Sequence, residues 1–200
     1  KFMEIFTNKE MKILDYLLEA EKDRLISNYR KYQDIGLKNH LIDLYNISIT
    51  FPKGYQLDVD TTQFLWFSRE TNLMSQGIFV YFYDYKDTTQ LTKENLLKTR
   101  DSVLKKFVPG PAPGSYMTTE HQFPVNYEEF KHKGEYTIEM RGLWRVENDF
   151  MGGPFVSLTK IDKKRGRIVT AEGFVYAPKY DKRNYTRQVE AVVYTLEIVE

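Results

Sequence analysis

Residues 77–85 constrain the fold more than any other part of this 200-residue sequence, because apolar or aromatic side chains occupy both faces of the strand they predict. One face carries Ile78, Val80 and Phe82, and the other carries Phe79, Tyr81, Tyr83 and Tyr85. Successive side chains of a strand point to opposite faces, so a strand of this composition needs cover on both sides. We therefore predict a central strand whose tyrosine face is covered by helices. The alternative is that the tyrosines form a platform for a ligand.

Six further runs are rich in β-branched and aromatic residues and are predicted to form strands. They comprise residues 47–51, 63–69, 116–123, 135–147, 155–162 and 167–177, with a hairpin turn at residues 163–166. Gly173, within the last run, predicts a bulge or a close backbone contact. Because the runs follow one another in hairpin-like succession rather than in βαβ alternation, the sheet is expected to be mainly antiparallel.

Three segments have the apolar spacing of amphipathic helices: residues 8–34, residues 92–107 and the segment after Asp181. The valines at the end of the third segment would also suit a strand. A short helix is expected over residues 37–44, after the break at Gly36. The predicted fold class is therefore α+β, a mainly antiparallel sheet flanked by a long N-terminal helix, a middle helix and a C-terminal helix.

Length and composition limit the classes of protein that fit. The chain is long enough for one domain, predicted as a helical lead-in (residues 1–44) and a sheet core with two helices (residues 45–200). The 29 Lys and Arg residues against 28 Asp and Glu residues leave a net charge of +1, so neither nucleic acid nor an acidic membrane is expected as a partner. The absence of cysteine excludes disulfides, thiolate metal sites and cysteine nucleophiles.

No known catalytic or cofactor motif occurs in the sequence. The three histidines, His40, His121 and His132, lack a metal-binding spacing, and there is neither a phosphate-binding glycine loop nor a nucleophile elbow. We therefore predict no metal and no cofactor. The basic cluster of residues 160–167 is predicted to be the solvated tip of a hairpin.

The most unusual stretch is residues 141–155, where a strand with Arg and Trp leads into an acidic turn and a Gly-Gly-Pro. In a structural interpretation Arg141 pairs with a carboxylate, Trp144 fills the core and the glycines shape a tight connection. In a functional interpretation this stretch lines a pocket for an anionic or sugar-like ligand, with the stiff loop of residues 108–115 beside it. The candidate ligand-binding residues are Arg141, Trp144, Arg145, Glu147, Asp149, Gly152, Gly153, Ser115 and Tyr116.

Six short motifs carry a resemblance to a known family. They are Pro109-Gly110, Gly114-Ser-Tyr-Met117, Arg141-Gly-Leu-Trp144, residues 149–157, residues 173–179 and Asp181-Lys-Arg183. Together they resemble, over roughly residues 45–198, an uncharacterised domain-of-unknown-function family of predicted Bacteroidetes lipoproteins. The resemblance implies a lipidated cysteine and a further region upstream of Lys1, and hence a place in the cell envelope, on the periplasmic or outer side of a membrane. It brings no activity and no catalytic residue.

The leading hypothesis is a non-enzymatic cell-envelope lipoprotein domain that binds a partner protein or a small ligand. The binding surface is expected where residues 109–115 meet residues 141–155, because irregular backbone with Arg and Trp is favoured at binding sites. Association with a membrane is then expected only through the lipid anchor.

Two alternatives come from other classes of protein. One is an envelope hydrolase that acts on glycan or peptide through paired carboxylates, with candidates Glu139, Glu147 and Asp149. The other is a structural subunit of an envelope assembly, with a contact patch of exposed tyrosines at Tyr81, Tyr83 and Tyr85.

Overall fold

The computed structural model describes the backbone of residues 2–199 and the side chains of residues 10–199. The helices are α1 (Phe2–Lys31), α2 (Ile35–Tyr45), α3 (Lys93–Phe107) and α4 (Arg183–Val193). The strands are β1 (Ile47–Ser48), β2 (Gln56–Asp60), β3 (Phe64–Glu70), β4 (Ser75–Asp84), β5 (Met117–Thr119), β6 (Asn126–His132), β7 (Glu135–Val146), β8 (Gly152–Asp162), β9 (Arg167–Tyr176) and β10 (Glu197–Ile198). The predicted α+β class is confirmed.

Eight of the strands form one antiparallel sheet with the order β2-β3-β4-β9-β8-β7-β5, and β6 lies beside β7. Strands β6 and β5 share one edge of β7, because β6 pairs with its first part and β5 with its last part. The sheet joins two meanders, β2 to β4 and β6 to β9, which meet where β4 pairs with β9. Strand β4 is therefore an interior strand, as its two apolar faces predicted.

One face of the sheet, called here the α4 face, is covered by α1, α2 and α4. Ile78, Val80 and Phe82 of β4 belong to the same buried cluster as Leu41 of α2 and Val192 of α4. All five side chains are buried, and burial of each large aliphatic or aromatic side chain contributes about 1.5–3 kcal/mol. This hydrophobic layer holds α4 against the sheet.

The opposite face, called the α3 face, carries the tyrosine side of β4. Leu96 and Leu104 of α3 are buried in one cluster with Phe79 and Tyr81. Tyr81 is 2% exposed and Tyr83 is half-buried, so the prediction that a helix covers this face is confirmed. The tyrosines of β4 therefore do not form the exposed patch that a structural subunit was expected to use.

Strands β2 and β6 were not predicted from the sequence. Both are edge strands rich in charged residues, as edge strands commonly are. Strand β6 lacks apolar alternation, and the alternation of β2 is limited to Leu57 and Val59, which is too short to mark a strand. The strands predicted at residues 47–51 and 116–123 are shorter than expected, because only β1 and β5 form there. Helix α1 begins earlier than residue 8.

The structure tests three local predictions, which concern Gly173, the segment after Asp181 and Lys160. Gly173 pairs in unbroken register with β4 and β8, so it is not a bulge. A Cβ at Gly173 would lie 2.8 Å from the Cβ of Val189, so glycine allows the close approach of α4. The segment after Asp181 forms a helix rather than a strand. Lys160 is not at a solvated tip, because its side chain is buried and its ammonium lies 2.7 Å from a carboxylate oxygen of Glu135.

Candidate ligand-binding groove

Strand β7 places the predicted site residues Arg141 and Trp144 on opposite faces of the sheet. Trp144 is 3% exposed and lies on the α3 face, with its ring centroid 5.6 Å from that of Phe174 in an edge-on arrangement. The two residues are three positions apart, so the alternation of side chains separates them. Trp144 thus fills the core, and the structure does not bring it into one pocket with Arg141.

The charged residues at the end of β7 and in the acidic turn after it are paired with other groups of the protein. The Arg145 guanidinium lies 2.6 Å from a carboxylate oxygen of Glu147 and 3.7 Å from one of Glu120. One carboxylate oxygen of Asp149 accepts hydrogen bonds from the backbone N–H groups of Phe150 and Met151. Asp149 therefore holds the turn that leads into β8.

The two glycines after the turn allow protein backbone, rather than a ligand, to approach. A Cβ at Gly153 would lie 2.1 Å from the carbonyl oxygen of Val175 and 3.1 Å from the indole nitrogen of Trp144. A Cβ at Gly152 would lie 2.9 Å from the carbonyl oxygen of Trp144. Gly152 and Gly153 therefore form a tight connection, as the structural interpretation expected.

Ser115 and Tyr116 close the proline-rich loop. The buried Ser115 hydroxyl donates a hydrogen bond to the Ala112 carbonyl oxygen and accepts one from the Ala112 N–H. The Lys105 ammonium lies 4.9 Å from the centre of the half-buried Tyr116 ring. Both candidates are thereby engaged within the loop or with α3.

Among the predicted ligand-binding residues, Arg141 lines a groove and is the centre of a cluster of ion pairs there. Its guanidinium donates from Nε and Nη2 to the two carboxylate oxygens of Glu139, both at 2.6 Å, and from Nη2 to Glu190 at 2.7 Å. Glu139 lies on the same face of β7, two positions earlier, and Glu190 comes from α4. The two glutamates are 5% and 4% exposed, so Arg141 is the shared counter-ion of two nearly buried carboxylates.

The guanidinium of Arg141 stays charged in this setting. Burial alone would lower the pKa of Arg141, but the hydrogen bonds and charges of Glu139 and Glu190 outweigh burial and raise it. The Tyr194 hydroxyl donates a hydrogen bond to Glu139. Burial, followed by the Glu139 carboxylate, raises the pKa of Tyr194, which keeps this hydroxyl protonated.

A groove of about 780 Å³ opens above this cluster between α1, the β6–β7 pair and α4. Its charged lining has five carboxylates and three cations: Asp15, Glu19, Glu128, Glu139, Glu190, Lys22, Arg141 and Arg187. We call this groove the acidic arm. The Lys22 ammonium lies 3.6 Å from the centre of the Tyr194 ring, a contact that attaches α1 to the groove wall. Within α1, the same ammonium lies 2.8 Å from a Glu19 oxygen.

A second groove, of about 540 Å³, lies on the other side of Arg141 and is called here the basic arm. Its charged lining has four cations and two carboxylates: Arg141, Lys182, Arg183, Arg187, Asp181 and Glu190. Both arms share Arg141, Arg187 and Glu190, and together they are called the Arg141 groove. The groove therefore changes from net negative to net positive across Arg141.

Two donors at this junction are open to a ligand. In the part of the chain that the structure describes, Nη1 of Arg141 has no hydrogen-bond partner. The nearest approach of Arg187 to Glu190 is 3.8 Å, which is too long for a hydrogen bond. The rigidly held Arg141 and the loosely paired Arg187 are thus the groups best placed to bind an anionic group.

The sequence had identified only part of this cluster. Arg141 was a ligand-binding candidate and Glu139 a candidate acid, whereas Glu190, Arg187 and Tyr194 were missed. The available signal was Glu190 itself, a charge within the valine-rich stripe of α4 that packs on the sheet.

Among residues 10–199, no group of three or more His, Asp or Glu side chains is arranged to hold a metal ion. None of the described helices has both the length and the apolar character needed to cross a membrane.

Comparisons with known proteins concern the family and the fold. The family described as "Domain of unknown function (DUF4837)" matches residues 36–195. No curated protein matches the chain. The Saccharomyces cerevisiae Ran-binding protein Mog1p is 10% identical, with a TM-score of 0.47 over 78% of this chain and 91% of that one. LpqN, involved in cell envelope biogenesis of Mycobacterium tuberculosis, is 11% identical, with a TM-score of 0.43 over 75% of this chain and 82% of that one. These likenesses concern the fold alone.

Proposed function

The chain belongs to the DUF4837 family, and we propose that it is a non-enzymatic binding domain whose Arg141 groove holds a polar ligand with charges of both signs. The ligand is a small molecule or an extended segment of a partner protein. The observation that carries the proposal is the Arg141 cluster, a guanidinium fixed by two nearly buried carboxylates with Nη1 open to the groove. It lies where the acidic arm meets the basic arm.

A fixed arginine favours binding because its conformational entropy is already lost before the ligand arrives. A flexible side chain that becomes ordered on binding costs about 0.5–1.5 kcal/mol, which a pre-oriented guanidinium largely avoids. A hydrogen bond to a charged group contributes about 1.5–3 kcal/mol where water is partly excluded. Anionic groups of the ligand are therefore expected at Arg141 and Arg187, and cationic groups in the acidic arm.

The contacts of the carboxylates favour binding over hydrolysis. Glycoside hydrolysis needs one acid that gives up a proton and a second that acts as base or nucleophile. Glu139 binds Arg141, Glu147 binds Arg145, and Asp149 accepts two backbone hydrogen bonds. Each candidate acid is thus engaged with an internal donor. The hydrolase would be favoured instead if the protein hydrolysed a glycan or peptide and if Glu139→Gln abolished this hydrolysis without abolishing binding.

We also propose that the domain works in the cell envelope as a lipid-anchored protein, which rests on the sequence resemblance. The test is fractionation of cells that make the natural full-length protein, followed by mass spectrometry of its N-terminal peptide. A membrane-bound protein with a lipidated cysteine is expected. Recovery in the cytoplasmic fraction without a lipid would contradict the location but would leave the groove hypothesis intact.

The binding proposal is tested with three labelled hexapeptides: one of glutamates, one of lysines and one that alternates the two residues. Fluorescence anisotropy is expected to give the highest affinity for the alternating peptide, because it can place opposite charges in the two arms. Arg187→Gln should weaken the glutamate and alternating peptides about fivefold, the equivalent of about 1 kcal/mol. Glu128→Gln, at the exposed rim of the acidic arm, should weaken the lysine and alternating peptides.

The matched control is Lys105→Gln, which removes one cation at a position that lines neither arm. It should leave all three affinities unchanged. Equal losses in Arg187→Gln and Lys105→Gln would show that the peptides respond only to net charge, and the proposal would then fail.

A further inference from the structure

The basic turn of residues 163–166, between β8 and β9, borders a separate cavity of about 570 Å³. The other walls are residues 134–136, where β7 begins, Ile161 and Asp162 at the end of β8, and Ile198 with Val199. None of the residues that line it belongs to the Arg141 groove. Whatever this cavity binds is therefore independent of the function proposed above.

A buried carboxylate fixes one wall of this cavity. The Asp162 side chain is fully buried, and its Oδ2 lies 3.1 Å from Nη1 of Arg165 and 2.9 Å from Nε of Arg167. Burial alone would raise the pKa of Asp162, but the hydrogen bonds from Arg167 and Arg165 outweigh burial and lower it. The ionised carboxylate thus holds Arg165 at the wall of the cavity. About a fifth of the Arg165 side chain is exposed.

The remaining charges of the cavity leave an excess of cations. Glu135 is already paired with the buried Lys160 at 2.7 Å. In the described residues, neither Lys163 nor Lys164 has a carboxylate within 4.0 Å, and both side chains are exposed. Lys163, Lys164 and Arg165 therefore border the cavity with donors that internal carboxylates do not use up.

We propose that this cavity binds an anionic group of the phosphate type. A phosphate monoester carries about 1.5–2 negative charges and three acceptor oxygens, so it can accept from two ammonium groups and a guanidinium at once. A carboxylate carries one charge and two oxygens, and fits three donors less well. The anchored Arg165 supplies a directed donor and the two lysines supply mobile point charges.

The experiment uses inorganic phosphate and vesicles, because a free phosphate and a lipid headgroup present the same chemistry. Phosphate is titrated into the protein at constant ionic strength, and the backbone amide signals of residues 163–166 are followed by NMR. Vesicles of phosphatidic acid, whose headgroup is a phosphate monoester, in phosphatidylcholine are compared with pure phosphatidylcholine by co-sedimentation. Saturable shifts with phosphate indicate a soluble ligand, and sedimentation with the anionic vesicles alone indicates a lipid headgroup. Either result supports the site.

The variants separate a site from general charge attraction. The double variant Lys163→Gln with Lys164→Gln should weaken binding of the active probe about tenfold. The double variant Lys105→Gln with Lys106→Gln removes the same charge at the end of α3, away from the cavity lining, and should bind as the wild type does. The proposal is overturned if neither probe binds, or if the two double variants lose binding equally.

Discussion

Arg100 of α3 and Glu172 of β9 form a two-pronged ion pair that is completely buried on the α3 face. Nε and Nη2 of Arg100 donate to the two carboxylate oxygens at 2.8 and 2.7 Å, and Nη1 donates to the Thr119 hydroxyl of β5 at 2.7 Å. The guanidinium also lies 3.8 Å from the centre of the Phe155 ring. One side chain of α3 therefore contacts three different strands, which fixes the helix in register with the sheet.

This ion pair gives the first prediction. Arg100→Met should lower the free energy of unfolding by about 3–5 kcal/mol, because it leaves the Glu172 carboxylate buried without a counter-charge. The double variant Arg100→Met with Glu172→Leu should recover most of that loss, because no buried charge remains. Urea unfolding followed by circular dichroism measures both values. A loss below about 1 kcal/mol for Arg100→Met would contradict the role assigned to the pair.

The second prediction concerns pH and His132. Its Nε2 lies 2.9 Å from the Tyr194 carbonyl oxygen. Burial, and then the charges of Lys160, Lys133 and Lys22, lower the pKa of His132 below 6.5, although the hydrogen bond with Tyr194 opposes this shift. Below about pH 6.5 the unfolded chain then binds more protons at this position than the folded protein does, so stability rises with pH through that window.

His132→Gln should remove this contribution. The wild-type free energy of unfolding should fall, as pH is lowered below about 6.5, more steeply than that of the variant, by up to about 1.4 kcal/mol per pH unit. Urea unfolding of both proteins over a pH series gives the comparison. Parallel pH profiles would show that His132 titrates alike in the folded and unfolded states.

The third prediction concerns the glycine pair at the start of β8. Gly153→Ala should destabilise the protein by about 1–3 kcal/mol, because the added Cβ would lie 2.1 Å from the Val175 carbonyl oxygen and one strand must move. The comparison is Gly36→Ala in α2, where the Cβ meets only a carboxylate oxygen of Asp34 at 3.3 Å and alanine favours the helix. Thermal unfolding should rank Gly153→Ala well below Gly36→Ala. Equal melting temperatures would mean that the close contact is not required.

The fourth prediction concerns the Arg141 cluster. Arg141→Gln should lower the free energy of unfolding by about 3 kcal/mol, because Glu139 and Glu190 lose the charge they share. Arg187→Gln should cost less than about 1 kcal/mol, since the Arg187 guanidinium approaches Glu190 only to 3.8 Å. Urea unfolding of the two variants tests the difference. The small effect expected for Arg187→Gln is what makes it the better variant for binding experiments.

Features set by local sequence could be predicted, and those set by distant contacts could not. Helix α3 lies where its cap and apolar spacing placed it, because the Thr92 side chain accepts from the Asn95 N–H and Pro109 follows the helix end. Strand β4 is interior, as its two apolar faces require. The edge strands β2 and β6 escaped prediction because charged side chains are tolerated where no further strand pairs.

In the candidate site, too, local features could be predicted from the sequence and contacts between distant residues could not. Arg141 was identified from the sequence, but Glu190 follows it by 49 residues and meets it only because α4 packs on the sheet. Trp144 was grouped with Arg141 by its nearness in sequence, although strand alternation alone separates residues three positions apart. The pairing of Arg141 with a carboxylate was anticipated, whereas the two oppositely charged arms arise from the meeting of α1, β7 and α4.

The most direct measurement for the binding function is NMR observation of the Arg141 and Arg187 Nε–H signals during titration with the alternating Lys-Glu peptide. The signals are assigned from Arg187→Gln and from the conservative variant Arg141→Lys. The proposed function predicts that both signals shift and saturate together, with the same affinity as the anisotropy measurement. Peptide binding that shifts signals elsewhere and leaves both arginines unchanged would contradict it.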